Sequence, residues 1–221
     1  LASYGDLRRY NTIIIPSGRS LNEYTLKILK DWVSQGGTLI AHNSSTRSLA
    51  SDKGIGSVKQ LQNTFENSKE YNFDLMREIY ALDNDINKDM TNENNVNFEL
   101  SYPWEEIEEF LSENELKDRD KWQSIFMPSG SFVAGRIDNE HWLTFGTTET
   151  IPVLYSNYPI LMTRSNSDAP VRIGNMIPNN EIDVPRVVNW SSIPAGFDLN
   201  VRMSGLVWPE ASQRIANSAY L

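Results

Sequence analysis

The 221-residue chain contains no cysteine. That removes disulfides, thiolate zinc sites and cysteine nucleophiles together, and it leaves the redox compartment open. Histidine is nearly as scarce, with His42 and His141 the two present. A catalytic zinc commonly takes three protein ligands at spacings such as H-E-x-x-H, which neither histidine has. The expectation is a chain with no metal and no other cofactor. No run approaches the ~18 to 20 apolar residues of a membrane helix, so no membrane span is expected. Clusters of Lys and Arg are lacking too: the formal net charge is −9 and the densest charged run, 105–109, is acidic. Phosphate backbones are held by basic clusters, so nucleic acid is not an expected partner.

What is present suits one folded domain, with hydrophobic residues at 39% and charged residues at 22%. Thr12-Ile13-Ile14-Ile15 is a continuous β-branched run of the kind found in strands buried on both faces. Pro16-Ser17-Gly18 stops it. Ser20 and Glu23 then have the S-x-x-E spacing of a capping box. Leu21, Tyr24, Ile28, Leu29, Trp32 and Val33 follow at helical spacing, and Gly36-Gly37 supplies a left-handed stop. Thr38-Leu39-Ile40-Ala41 reads as a second strand. Strand, helix and strand at this spacing predict a parallel βαβ unit.

A loop and a short helix are expected over 44–62. Residues 63–100 are dominated by Asn, Asp, Glu and Lys, and read as part of a polar surface insertion spanning about 63–125, with helical stretches at 71–81 and 105–111. Beyond it, 130–137 and 141–145 read as strands joined by Asp138-Asn139-Glu140. Further strands are expected at 151–155, 158–163 and 172–174. Pro209 fits the first position of a closing helix running to about Ala219.

Three patterns bear on chemistry. Asp83, Asp85, Asn87 and Asp89 alternate like the start of a calcium loop, but Lys88 and Asn94 stand where such a loop needs Gly and Glu. A solvated polar loop accounts for them. The turn after the second strand, His42-Asn43-Ser44-Ser45, is where an α/β enzyme presents a nucleophile. Ser44 or Ser45 with His42 or His141 as base would make a serine-dependent amidase or esterase. Yet G-x-S-x-G is absent, and a structural loop is the simpler reading. Ser17-Gly18-Arg19, also at a strand end, offers backbone access and a fixed positive charge to a small anion, or is an ordinary tight turn. Ser17, Gly18, Arg19, His42, Asn43, Ser44 and Ser45 are therefore the candidate ligand-binding residues. No catalytic residue and no metal ligand is assigned.

The run Tyr10-Asn11-Thr12-Ile13-Ile14-Ile15-Pro16-Ser17-Gly18, the helix end Trp32-Val33-Ser34-Gln35-Gly36-Gly37 and the strand Thr38-Leu39-Ile40-Ala41 together resemble class I glutamine amidotransferase-like domains. The closer likeness is to the version fused behind the peptidase domain of large secreted zinc carboxypeptidases of the carboxypeptidase A type. Asp138-Asn139-Glu140-His141-Trp142-Leu143-Thr144-Phe145-Gly146 is similar to that family's D-x-x-H-P-L-x-x-G stretch, with Trp142 where Pro is usual. Arg202-Met203-Ser204-Gly205-Leu206-Val207-Trp208-Pro209-Glu210 is similar to its terminal segment. Residues 63–125 match nothing in the family.

The resemblance implies a three-layer, flavodoxin-like α/β fold over residues 1–221, with a mainly parallel sheet, the polar insertion and an added β-rich segment. It places the amidotransferase cysteine in the His42-Asn43-Ser44 turn, where this chain has none, and His141 is followed by Trp142-Leu143 with no nearby Glu. The peptidase's H-x-x-E zinc pair is likewise missing, so any such chemistry would lie upstream of Leu1. The chain opens on Leu1-Ala2-Ser3 and reads as N-terminally incomplete, lacking a preceding strand and helix. An exposed sheet edge would then pair with the upstream peptidase domain of the same polypeptide or with a second copy. A non-catalytic accessory or binding domain is expected, taking a peptide or glycan at its strand-end loops, in a periplasmic or extracellular setting. A structural oligomerisation domain is the remaining alternative.

Overall fold

The computed structural model describes residues 6–18, 20–50, 54–67, 111–156, 158–163, 167–183, 186–188 and 191–220. The helices expected at 71–81 and 105–111, and the acidic alternation at 83–89, lie outside them or reach only their first residue. The fold is mixed α/β.

Strand β1 (Thr12–Ile15) and strand β2 (Thr38–Ala41) pair in parallel, in register from Thr12 with Thr38 to Ile15 with Ala41. Helix α1 (Glu23–Ser34) connects them. Its apolar periodicity buries Leu26, Leu29 and Trp32, which pack on Ile13 and Ile15. Each such side chain contributes roughly 1.5–3 kcal/mol when fully buried. The Trp32 indole Nε1–H donates to the Tyr10 carbonyl at 3.2 Å. Gly37 permits this packing, since a Cβ there would lie 2.3 Å from the Trp32 ring. Gly36, at φ +98°, supplies the left-handed helix stop expected from the sequence.

Two details of this unit differ from the sequence reading. The helix begins at Asn22, whose Oδ1 accepts the Thr25 N–H at 2.8 Å, and not through a Ser20–Glu23 box. The Leu21 N–H is instead taken by Ser48 Oγ at 3.1 Å, a tertiary contact that fixes the chain one residue before the cap. β1 is also buried on one face only: Ile14 is 63% exposed between buried Ile13 and Ile15.

Short helix α2 (Thr46–Leu49) follows β2 through a 3-10 turn at Asn43–Ser45. Strand β3 is Val58–Gln60. Helix α3 (Glu113–Ser124), inside the expected insertion, starts with a capping box between Ser112 and Glu115.

The second half is built on strand β4 (Ser129–Ile137). One edge pairs antiparallel with β5 (Thr150–Ser156). The other edge is shared between β7 (Val171–Ile173), opposite Gly135, Arg136 and Ile137, and β12 (Arg202–Ser204), opposite Phe132 and Val133. β6 (Leu161–Thr163) pairs antiparallel with β3. Two hairpins lie between β7 and β12: β8 (Asn175–Pro178) with β11 (Phe197–Asn200), and β9 (Arg186–Val188) with β10 (Ser191–Ile193). The closing helix α4 (Pro209–Ile215) has Pro209 in its first turn, as expected, and ends before Ala219.

The segment after α4 joins the sheet. Ala219 N–H donates to the Leu161 carbonyl at 2.9 Å and Tyr220 N–H to the Val171 carbonyl at 2.8 Å, so it lies between β6 and β7. Val133, Ile137, Val153, Tyr155, Val171, Ile173 and Ile215 form the core beneath. α3 is tied to α4 by a buried ion pair, Arg214 Nε to Asp120 Oδ1 at 2.7 Å and Nη2 to Oδ2 at 3.2 Å.

The sequence predicts a mainly parallel sheet; among the described residues the parallel ladder is β1–β2 and the other ladders are antiparallel. Parallel strands need a crossover connection, usually a helix, whereas antiparallel strands close through short turns. Among the described residues, 12–41 is the strand–helix–strand segment whose two strands pair with each other. Residues 141–145 also differ: Trp142–Thr144 is a 3-10 turn, with Trp142 and Phe145 exposed, and β4 takes β5 as its hairpin partner.

Candidate functional site

In open α/β structures, ligands approach the carboxyl ends of parallel strands. Here that end is formed by Ser17-Gly18 after β1 and by His42-Asn43-Ser44-Ser45 after β2. The two turns are sewn together by hydroxyls. Ser44 Oγ accepts the Gly18 N–H at 2.8 Å and lies 3.0 Å from Ser17 Oγ. Ser45 is fully buried, and its Oγ donates to the His42 carbonyl at 2.7 Å, with the Ile15 carbonyl at 3.3 Å. Thr46 Oγ1 donates to the Asn43 carbonyl.

Gly18 sits at φ +87° with open space where a Cβ would stand, so its backbone conformation and not crowding calls for glycine. Asn43, at φ +61°, holds the left-handed region at the apex of the strand-to-helix turn. Its Oδ1 is enclosed with no hydrogen-bond partner among the described residues. His42 is half-buried and its side chain makes no capping hydrogen bond. Arg19 lies outside the described residues.

His141 is held elsewhere, after β4. Its Nδ1 accepts the Leu143 N–H at 3.2 Å, which leaves the ring proton on Nε2, 3.7 Å from Asp168 Oδ2. An apolar cleft of about 510 Å³ runs between β2, α2 and this segment, with Ala41, Leu49 and Val58 on one side and His141, Asp168 and Tyr220 on the other. Ser17, His42, Ser44 and Ser45 do not line it. Thus the serine turn is brought against the Ser17-Gly18 turn, as its strand-end position suggests, while His141 faces a different space.

Sequence reasoning missed the His141–Asp168 pair and two arginines, Arg136 and Arg172, that face each other across β4 and β7. A cation centred in an apolar strand, as in Ala134-Gly135-Arg136-Ile137 and Val171-Arg172-Ile173, is the signal that marks the second pair. Among the described residues no group of three or more His, Asp or Glu side chains is placed to hold a metal ion. No described helix is long and apolar enough to cross a membrane. The chain matches no protein-family profile, no curated protein and no solved structure.

Proposed function

We propose that this chain is a non-catalytic accessory or binding domain of a larger, zinc carboxypeptidase-like protein, built on a flavodoxin-like, amidotransferase-type scaffold. The observation that carries the reading is the use made of the turn hydroxyls. Ser44 Oγ is committed to the Gly18 N–H and Ser17, which ties the two turns together, and Ser45 Oγ to the His42 carbonyl of its own turn and the Ile15 carbonyl of β1. A nucleophilic serine instead needs its hydroxyl against a general base and facing free amide donors. The Gly18 amide, the natural donor for a developing oxyanion at this strand end, is already taken. Exposed apolar groups support an accessory role. Ile14 is 63% exposed on a strand whose second edge is unpaired among the described residues. Phe132 and Leu154, direct partners across β4 and β5, are both exposed.

The enzymatic alternative draws on Asn43. A positive φ at a strand-to-helix turn is the strained geometry in which α/β-hydrolases display a nucleophile. A serine-dependent amidase or esterase would use Ser44, one residue on. The two readings part on labelling. A fluorophosphonate probe should leave the full chain unmodified, and Ser44→Ala with Ser45→Ala should leave any background ester hydrolysis unchanged. Stoichiometric labelling lost in Ser44→Ala would overturn the non-catalytic reading.

A further inference from the structure

Strand β2 is paired along one edge, with β1, and its second edge carries no strand among the described residues. The Thr38 N–H donates to the Asn11 carbonyl at 2.9 Å, which sets the alternation of the ladder. Thr38 and Ile40 turn their main-chain groups toward β1, and Leu39 and Ala41 turn theirs the other way. Both of these residues are half-buried, and their outward N–H and C=O groups have no partner among the described residues. Enclosed main-chain groups left so cost about 1–3 kcal/mol each unless water or a ligand takes them. This edge borders the apolar cleft of about 510 Å³. All four residues of β2 line the cleft, whereas the face of a sheet would present alternate ones, so the cleft runs along the strand's edge. Val33 of α1, Val58 of β3 and Leu161 of β6 supply apolar wall around it.

We propose that this cleft receives an extended, uncharged apolar peptide segment of a partner protein as a third strand on β2. Donors and acceptors that alternate at strand spacing are matched by another extended backbone, and the apolar wall takes that segment's side chains. Lys30 and Asp168, on the wall, carry opposite charges, so neither an acidic nor a basic segment gains from entering. The chain's net charge of −9 further disfavours an acidic one. This edge is not that of β1, and the cleft is not lined by the Ser17 and Ser44 turns. Fluorophosphonate labelling of those turns is indifferent to it, so the accessory-domain reading and this proposal can each fail alone.

The test is an amide chemical-shift titration of the full chain with an acetylated, amidated hexapeptide of alternating threonine and valine. The Leu39 and Ala41 amide protons should move downfield and gain exchange protection as the peptide saturates. Two further peptides carry N-methyl groups on all valines or on all threonines. One of them should bind roughly tenfold weaker, because it has lost the donors that face β2. A form with glutamate for threonine should also be weaker. Ala41→Pro removes a donor from the end of β2 and should weaken the parent peptide about three- to tenfold. The methylated peptides need no altered protein, so they decide the matter if Ala41→Pro fails to fold. Absence of saturation, equal binding of the parent and both methylated forms, or tightest binding by the glutamate form would each overturn the proposal. So would shifts at Leu39 and Ala41 that follow protein and not peptide concentration, which would mean that a second copy fills the cleft.

Discussion

Asn43 shows how much one residue records about a turn. A left-handed backbone costs an ordinary side chain roughly 1–2 kcal/mol, and asparagine tolerates it better than most. Here the amide oxygen is also enclosed without a partner among the described residues, an arrangement that itself costs about 1 kcal/mol or more. Asn43→Gly is therefore expected to raise stability by about 0.5–1 kcal/mol in denaturant melts, whereas Asn43→Ala should not. An equal gain from both would show that the enclosed oxygen, and not the backbone angle, sets the cost. Tyr155 makes the companion case for a buried acid. Its phenol is held well above its ordinary value, first by burial, with Arg214 opposing. The proton is bound more tightly in the folded state, so stability is intact below pH ~10 and falls as pH rises beyond it, by up to ~1.4 kcal/mol per pH unit. Alkaline titration should show tyrosinate absorbance rising together with loss of tertiary circular dichroism. Tyr155→Phe should shift that unfolding to higher pH.

Among the elements, the sequence was clear where periodicity alone decides the outcome and opaque where a distant partner does. The βαβ unit, β6, β7 and the proline-led α4 were all legible, because their apolar spacing or helix-start signals are local. The start of α1 was not, since Ser48, from α2, takes the Leu21 amide. Residues 141–145, with Trp142, Leu143 and Phe145, read as a strand, yet His141 Nδ1 caps the Leu143 amide and folds them into a 3-10 turn. α3 went unseen for a different reason. Its Ser112–Glu115 box is plainly written, but Leu116 is its buried apolar side chain and Asp120 its other buried residue. Such a helix looks like solvated loop until Arg214 arrives to neutralise it. Half of the candidate site was readable on the same grounds: strand ends locate Ser17, Gly18 and Ser44, whereas the cross-strand register that joins Arg136 to Arg172 is not in either segment. Asp120 and Arg214 are both buried, so Asp120→Ala, which removes one side of the pair, should cost up to about 3–5 kcal/mol. Arg214→Met with Asp120→Leu should recover most of it. A thermal melt of both variants decides the matter, and equal losses would mean that the pair's packing counts for more than its charge.

At the scale of the whole molecule, the described residues form two larger apolar cores, one around α1 and β1 and one beneath β4, β5 and β7, with a small cluster of Ala50, Leu161 and Ala219. The outer face of the larger sheet leaves Phe132 43% and Leu154 49% exposed as direct neighbours. A chain of net charge −9 resists indiscriminate association, so contact through this face should be specific and weak. Sedimentation velocity across a concentration series should show reversible self-association that strengthens with salt, and Phe132→Ser with Leu154→Ser should abolish it. Concentration-independent sedimentation of the parent chain would mean that this face is kept for another protein.

The strip at 217–220, lodged between β6 and β7, has a consequence for biosynthesis. The ribosome delivers β3 well before β6, and the strip that ties both to the large sheet comes later still, after α4. Until it emerges, the nascent protein presents two open ladder edges to the chaperones waiting at the exit tunnel. Closure of the sheet therefore waits for a segment made well after the strands it joins.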